Sequence, residues 1–489
     1  MQPSTIFNAC LRRCINSHTC GSQQQALLPA RVVDVGTERQ DVLKLCEPSS
    51  GTHGKYAALT YCWGQSNLFV ATSANIELLH GGFTMDVLPR TVRDAVKLTR
   101  QLGLRYLWID ALCIIQGDDA MARADWALQV GRMESVYRNA LVTISAAGAS
   151  NSNCGLYSQH QCLLRRSGGG YLSVTSQDKV RTFVNEPINR RAWTLQEHLL
   201  SPRLLIFASF GLIWQCNEAS IGPRPSRDFV VPFTTLFSYR LPDPPAIFDW
   251  QKIVENFCIR DLTKPDDKFH AIAALARKYS AVTNDSYVAG LWESQLRQHL
   301  LWENGSWTFR THRDPASIRR SEQYRAPSWS WASLAGPVRY RIDSRSFGRP
   351  DTDDGWLAEV RARVELVDAG DRFGAVKAGW LTLHGPLVES RIQWPADLVH
   401  GVPYLETLNG VRLGHLMLDD VQQALKDLAD GSTVWCLALR AKHECNAIAM
   451  LKGERDPVQY TRIGLARSDS NDELMEALQA APTETVVVV

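Results

Sequence analysis

Apolar positions along the chain change period several times, and each change marks an element. The run from Leu28 through Val32, Val33 and Val35 stops at Gly36, which predicts a strand ended by a turn glycine. Tyr56 to Tyr61 (YAALTY) is short and largely apolar and leads into Cys62-Trp63-Gly64, the pattern of a buried strand feeding a loop. Pro89 suits the first turn of a helix, and Val92, Ala95, Val96, Thr99 and Leu102 then recur at helical spacing until Gly103. Tyr106 to Asp110 (YLWID) is strand-like again. Asp125 to Tyr137 sets Trp126, Val130, Met133, Val136 and Tyr137 on roughly one helical face, and Leu141 to Ser145 follows as a strand. A helix over about Ala192 to Leu200 precedes two further strands, Leu204 to Phe207 and Leu212 to Cys216.

Strand and helix in alternation predict an α/β domain with a mainly parallel sheet and right-handed crossovers. The Ser-, Asn- and Gly-rich stretch from Asn151 to Gly170 reads as an inserted loop region, and Pro223, Pro225, Pro232, Pro242, Pro244 and Pro245 mark a break in regular structure. From Trp250 to Leu301 the pattern is helical, with Phe257, Ile272, Leu275, Ala276 and Leu291 as anchors. Beyond Gly355 short alternating segments and one helix near Val421 to Leu428 indicate a mostly β region. The expected organisation is an N-terminal Cys/His segment (1–29), an α/β domain (30–220, core blocks 56–145 and 190–216), a helical middle region (221–335) and a mostly β C-terminal region (336–489).

Composition narrows the function classes. The 489 residues are 45% hydrophobic, enough for one large or two to three ordinary domains with buried cores. The 53 basic and 51 acidic side chains nearly cancel, so no net field draws the chain to nucleic acid or to an anionic membrane. The longest apolar stretch, Leu204 to Trp214, is too short to span a bilayer, and Arg12 and Arg13 have no apolar run behind them. Twelve cysteines, many of them inside apolar runs (Cys62, Cys113, Cys216, Cys258, Cys436), favour a reducing compartment, and the expected location is the cytoplasm.

Three blocks carry a resemblance. YAALTYCWG (56–64), LWIDALCIIQ (107–116) with Asp125-Trp126 and Tyr137 to Ala140 behind it, and AWTLQEHLLSPRLL (192–205) resemble, in order and spacing, the signature blocks of the fungal heterokaryon-incompatibility (HET) domain. Cys14, His18 and Cys20 ahead of Leu28-Pro29, Leu262-Thr263 with Asp267-Lys268, APSWSWAS (326–333) and Arg462-Ile463-Gly464 are similar to features of long HET proteins. A more distant resemblance is to TIR domains, flavodoxin-like modules with a parallel sheet, some of which split NAD. YAALTY is similar to the first TIR strand, YLWID to the second, and the helical Trp193 to Glu197 segment to the one holding the glutamate of hydrolytic TIR domains. Thr194 stands where those domains usually have Cys, and the insert between Ser145 and Trp193 is far longer.

The resemblance implies an effector of programmed cell death in non-self recognition, and through the TIR likeness an NAD glycohydrolase with Glu197 as its catalytic carboxylate. NAD would be the substrate, and no resident cofactor is expected. The rival is a non-enzymatic module that assembles with itself or with other incompatibility proteins. Chemistry of the residues points to the same region, because ligands in open parallel sheets gather beyond the carboxyl ends of strands. Asp110 falls at such an end as a second candidate carboxylate, and Tyr61, Cys62, Trp63 and Gly64 at another; Gln116 and Asp125 are minor candidates. Trp193 and Glu197 are four apart and share a helical face, an aromatic surface beside an acid. The bland alternatives are a solvated Glu197 paired with Arg190 or Arg191, Asp110 capping its own turn, and Gln116 and Asp125 as caps.

Cys10, Cys14, His18 and Cys20 hold enough ligand types for zinc, but the spacing is not that of a finger, and the reading is helix-borne, partly buried cysteines with no metal. Nothing in sequence pairs Cys113 with His198 or His53 as a nucleophile and base. The fifteen tryptophans, Trp329 and Trp331 among them, read as packing.

Overall fold

Tyr56–Thr60, five consecutive buried residues, is the strand around which the first half of the chain is built. In the computed structural model the described residues are 3–20, 26–37, 41–64, 69–157, 163–165, 171–173, 186–221, 247–305, 318–340, 358–396, 402–410, 412–441, 445–454, 457–468, 476–478 and 480–489. They form two compact units, Met1–Leu241 and Pro242–Val489. The proline-marked break at 223–245, most of the insert expected after residue 157, the polar stretch at 21–25 and Gly355 lie outside the described residues.

The first unit holds a nine-stranded sheet. Its strands are β1 (Val32–Asp34), β2 (Val42–Cys46), β3 (Tyr56–Thr60), β4 (Phe83–Thr84), β5 (Tyr106–Trp108), β6 (Val142–Ser145), β7 (Arg203–Ala208), β8 (Gly211–Cys216) and β9 (Ser220–Ile221). Across the sheet they run β9, β8, β7, β6, β3, β5, β1, β2, β4. β3 lies between β5 and β6 and parallel to both, with Ala58 opposite Trp108 on one side and Thr143 on the other. β7 is parallel to β6.

The expectation of a mainly parallel sheet needs correction: only the central four strands are parallel, and both flanks are antiparallel. Connection length is the reason. β7 and β8 are joined by Ser209 and Phe210 alone, and only seven residues separate β1 from β2, whereas a parallel crossover needs a dozen or more residues.

The helices of this unit include α1 (Pro3–Ser17), α2 (Arg90–Gln101), α3 (Asp110–Cys113), α4 (Ala120–Asn139) and α5 (Trp193–Leu200), besides a short one at Ile76–Gly81. α2 follows Pro89 and buries Val92, Ala95, Val96 and Thr99, the residues of its apolar period. α4 begins five residues before Asp125, because the Asp119 side chain accepts a hydrogen bond from the Ala122 amide and caps the helix there. Two tyrosines fasten α4 to β3: the Tyr56 hydroxyl donates to the Val136 carbonyl at 2.6 Å, and the Tyr137 hydroxyl to the Leu59 carbonyl at 3.3 Å. α3 starts at Asp110, so the YLWID strand is shorter than its apolar run suggests.

In the second unit, α6 (Ile247–Cys258) and α7 (His270–Thr283) supply helix, but the stretch to Leu301 also contains the short pair Tyr287–Val288 and Leu291–Trp292. Trp250, Trp329 and Trp331 are fully buried, and the Trp250 and Trp331 indoles both donate to the Gly290 carbonyl at 2.9 Å. The following strands are long and antiparallel. Val376–Gln393 pairs with Tyr404–Thr407 on one side and Thr433–Ala441 on the other, so that the pairing closes on itself through Arg412–Leu418, Tyr460–Ser468 and Cys445–Lys452. Closure leaves the strands of that ring without an open edge, while Glu359–Leu366 pairs with Val376–Gln393 outside it.

Candidate functional site

Four segments of the first unit meet where the parallel strands end. The end of β3 and the chain leaving it contribute Thr60, Tyr61 and Trp63; the chain leaving β5 contributes Asp110; α4 contributes Tyr137; and Arg191 just before α5 and Glu197 within it complete the group. β5, β3, β6 and β7 are the second, first, third and fourth of the parallel strands in chain order. The connection leaving β3 therefore runs to β5 on one side and the connection leaving β6 runs to β7 on the other, and this reversal falls between the ends of β3 and β6, beside Thr60 to Trp63.

Glu197 is buried, at 4% exposure, and so is not the solvated helix residue of the bland alternative. Burial pushes its carboxyl up to about 7; Arg191 pulls it down, Asp110 raises it, and the Thr60 and Tyr137 hydroxyls lower it again. Asp110 is half-buried. One carboxylate oxygen accepts the Ala111 amide at 2.8 Å, as a turn cap does, and the other accepts the Trp63 indole N–H at 2.8 Å. Burial raises Asp110 as well, more than Arg191 and those two donors lower it.

Arg191 is the hub. Its guanidinium donates to the Tyr61 carbonyl, and although burial works against its charge, Glu197 and then Asp110 hold it charged. The arrangement is a buried acid and a partly accessible acid sharing one cation, beneath an indole. Trp63, Asp110 and Arg191 are partly exposed and form the rim of this group, Glu197 is buried, and Trp193 is partly exposed one turn before Glu197 on α5.

The other candidates have different surroundings. Cys62 is buried in an apolar cluster with Ala147, Ile188, Leu204 and Ile206. Gly64 has φ 79° and packs on Asn151, where a Cβ would stand 2.5 Å from the Asn151 Cβ. Gln116 spends its side-chain amide on the Ile114 carbonyl at 2.9 Å. Asp125 accepts the buried Arg31 and the Ile115 amide at 2.8 Å, a strut between α4 and the start of β1. Reading from sequence reached Asp110, Trp63 and Glu197 but not Thr60, and it saw Arg191 only as a local surface partner. Its position directly before the AWTLQE block was the available signal.

A second cluster lies on α1 and β8. Cys14, His18, Cys20 and Cys216 bring their donor atoms within 4.8 Å of one another; Cys10, counted with them from sequence, is outside that set, and Cys216 was not counted at all. Burial, with Cys14 and Cys216 alongside, pushes the Cys20 thiol up to about 12.

Residues 56–197 match the family described as Heterokaryon incompatibility protein (HET). No curated protein and no solved structure matches the chain.

Proposed function

From the match of residues 56–197 to the heterokaryon-incompatibility family, we propose that the chain is an effector of programmed cell death in non-self recognition that acts by hydrolysing NAD. The observation carrying the proposal is the convergence of Asp110 and Glu197 on Arg191 at the carboxyl edge of the parallel strands. The order of those strands, second, first, third, fourth, is that of flavodoxin-like sheets, and it supports the TIR-like reading.

In the proposed reaction the bond between C1′ of the ribose and the nicotinamide nitrogen breaks, and its electron pair leaves with the neutral ring. A carboxylate against the ribose stabilises the oxocarbenium-like state left behind. Glu197 fills that role in its ionised form, then takes the proton of the water that adds at C1′, giving ADP-ribose. A carboxyl near 7 is ionised and protonated in comparable amounts at neutral pH, which suits a group that must do both. Asp110 keeps Arg191 charged and orients Trp63, whose indole offers a stacking face to a base. Since Glu197 is 4% exposed, the substrate reaches it only when the rim side chains turn aside.

That same burial favours a second reading, in which the acid–Arg–acid group is an internal strut and the domain acts by assembly. Incubating the purified full chain with NAD and quantifying nicotinamide by chromatography separates the two. The hydrolytic reading expects steady release that falls roughly 100-fold or more in Glu197→Gln. No release under conditions that promote self-association, from a folded protein, leaves the assembly reading.

A further inference from the structure

Helix α1 delivers Cys14 in its last turn, the chain leaves the helix through His18 and Cys20, and Cys216 ends β8, 198 residues after His18. The three cysteines are 1%, 1% and 3% exposed and carry no disulfide. The Cys216 sulfur is 3.3 Å from His18 Nδ1, and all four donor atoms lie within 4.8 Å of one another. Around a tetrahedral zinc, with bonds of about 2.3 Å to sulfur and 2.0 Å to nitrogen, donors stand roughly 3.5–3.8 Å apart. The set therefore needs adjustments of about an ångström at most to enclose the ion. Cysteines that merely pack do so among apolar side chains, as Cys62 and Cys436 do here. Three thiols and an imidazole gathered from two ends of a domain are a ligand set.

The surroundings fit a metal complex. Three thiolates, a neutral imidazole and a divalent ion carry a net charge of minus one. Arg203, 2% exposed and paired across the strands with Cys216, donates from Nε to the Cys14 sulfur at 3.3 Å, which offsets that charge and supplies the outer hydrogen bond that thiolate ligands take. Thr19, between two of the ligands, donates from its amide and hydroxyl to Glu218 Oε1 at 2.5 and 2.6 Å, tying the 18–20 segment to the turn after Cys216. Phe7 packs edge-on against Trp214, with ring centroids 5.4 Å apart, and seats the same helix on the same strand.

We infer that Cys14, His18, Cys20 and Cys216 bind one zinc ion in a closed structural site that fastens α1 to the end of β8. Four protein donors leave no open position, so the ion would hold structure and not substrate. Binding replaces the three thiol protons, which are released, and leaves the imidazole neutral. Thiolate and imidazole donors together favour zinc over magnesium or calcium. The inference stands apart from the proposed hydrolysis.

The test is the metal content of the full chain, purified without chelator or affinity metal, by plasma mass spectrometry. The expectation is one zinc per chain in the wild type and in Cys10→Ser, and a loss of at least tenfold in Cys20→Ser and Cys216→Ser. Should those two variants fail to fold, cobalt exchanged into the wild type reads the same site: intense tetrahedral d–d bands with sulfur-to-cobalt charge transfer support it. A folded wild type with less than about a tenth of an equivalent of zinc and no such cobalt spectrum overturns the inference. So does a disulfide among Cys14, Cys20 and Cys216 in a non-reducing peptide map, or full zinc retention in folded Cys216→Ser.

Discussion

At the scale of single residues, Glu197 has the most consequential environment. Its carboxyl stands at about 7 in the folded chain against an ordinary 4.5, so the native state holds a proton there that the unfolded state has released. A raised carboxyl contributes stability that is fully present below about pH 4.5 and is lost as pH climbs through 7. A gap of that size corresponds to a contribution on the order of 3 kcal/mol. Glu197→Gln removes the titration while keeping the size of the side chain. Urea unfolding of both proteins at pH 5 and pH 8 should then show the variant gaining on the wild type at the higher pH. Parallel behaviour of the two proteins would mean that Glu197 does not titrate in this range. The carboxyl is buried beside Arg191, so its charge state is coupled to folding.

At the scale of elements, the loop after β3 shows why the CWG sequence ends in glycine. Gly64 sits at φ 79°, a backbone region that residues with a Cβ enter at a cost, and an added Cβ would meet Asn151 at 2.5 Å. The Ser152 amide donates to the Trp63 carbonyl at 3.2 Å, so this loop and the one after β6 are locked together immediately beside the Trp63 contact with Asp110. Gly64→Ala should cost about 1–2 kcal/mol in thermal or chemical unfolding and should loosen Trp63 from Asp110. The loosening is readable as a red shift in tryptophan emission that a Trp63→Phe background abolishes. An alanine variant as stable as the wild type would show that the loop has room the geometry denies it.

At the scale of the molecule, each of the two units has its own buried core: the first around β3 and its neighbours, the second around the tryptophans of APSWSWAS and the closed strands beyond them. A unit that buries its own apolar surface folds without the other. Residues 1–241 expressed alone should therefore unfold in a single cooperative transition, followed by circular dichroism. A gradual transition, or a soluble aggregate in place of a monomer, would contradict that expectation. No helix among the described residues is long and apolar enough to cross a membrane.

The sequence by itself determined the central strands and the helices between them. Their apolar periods are local properties: YAALTY is buried because it is apolar throughout, and α2 buries the residues that recur every three to four positions. It also determined that Trp193 and Glu197 share a helical face, since four residues make about one turn. Tertiary structure decided the rest. A carboxyl's charge depends on its surroundings, and those of Glu197 come from Thr60, Asp110 and Tyr137, more than fifty residues away in the chain, as well as from nearby Arg191. Antiparallel flanks arise from connection lengths that periodicity does not report, which is why the sheet is mixed and not mainly parallel. Cys216 joins Cys14, His18 and Cys20 only because a hairpin from the far end of the unit lies against α1. Spacing along the chain carries no trace of a ligand contributed 198 residues later.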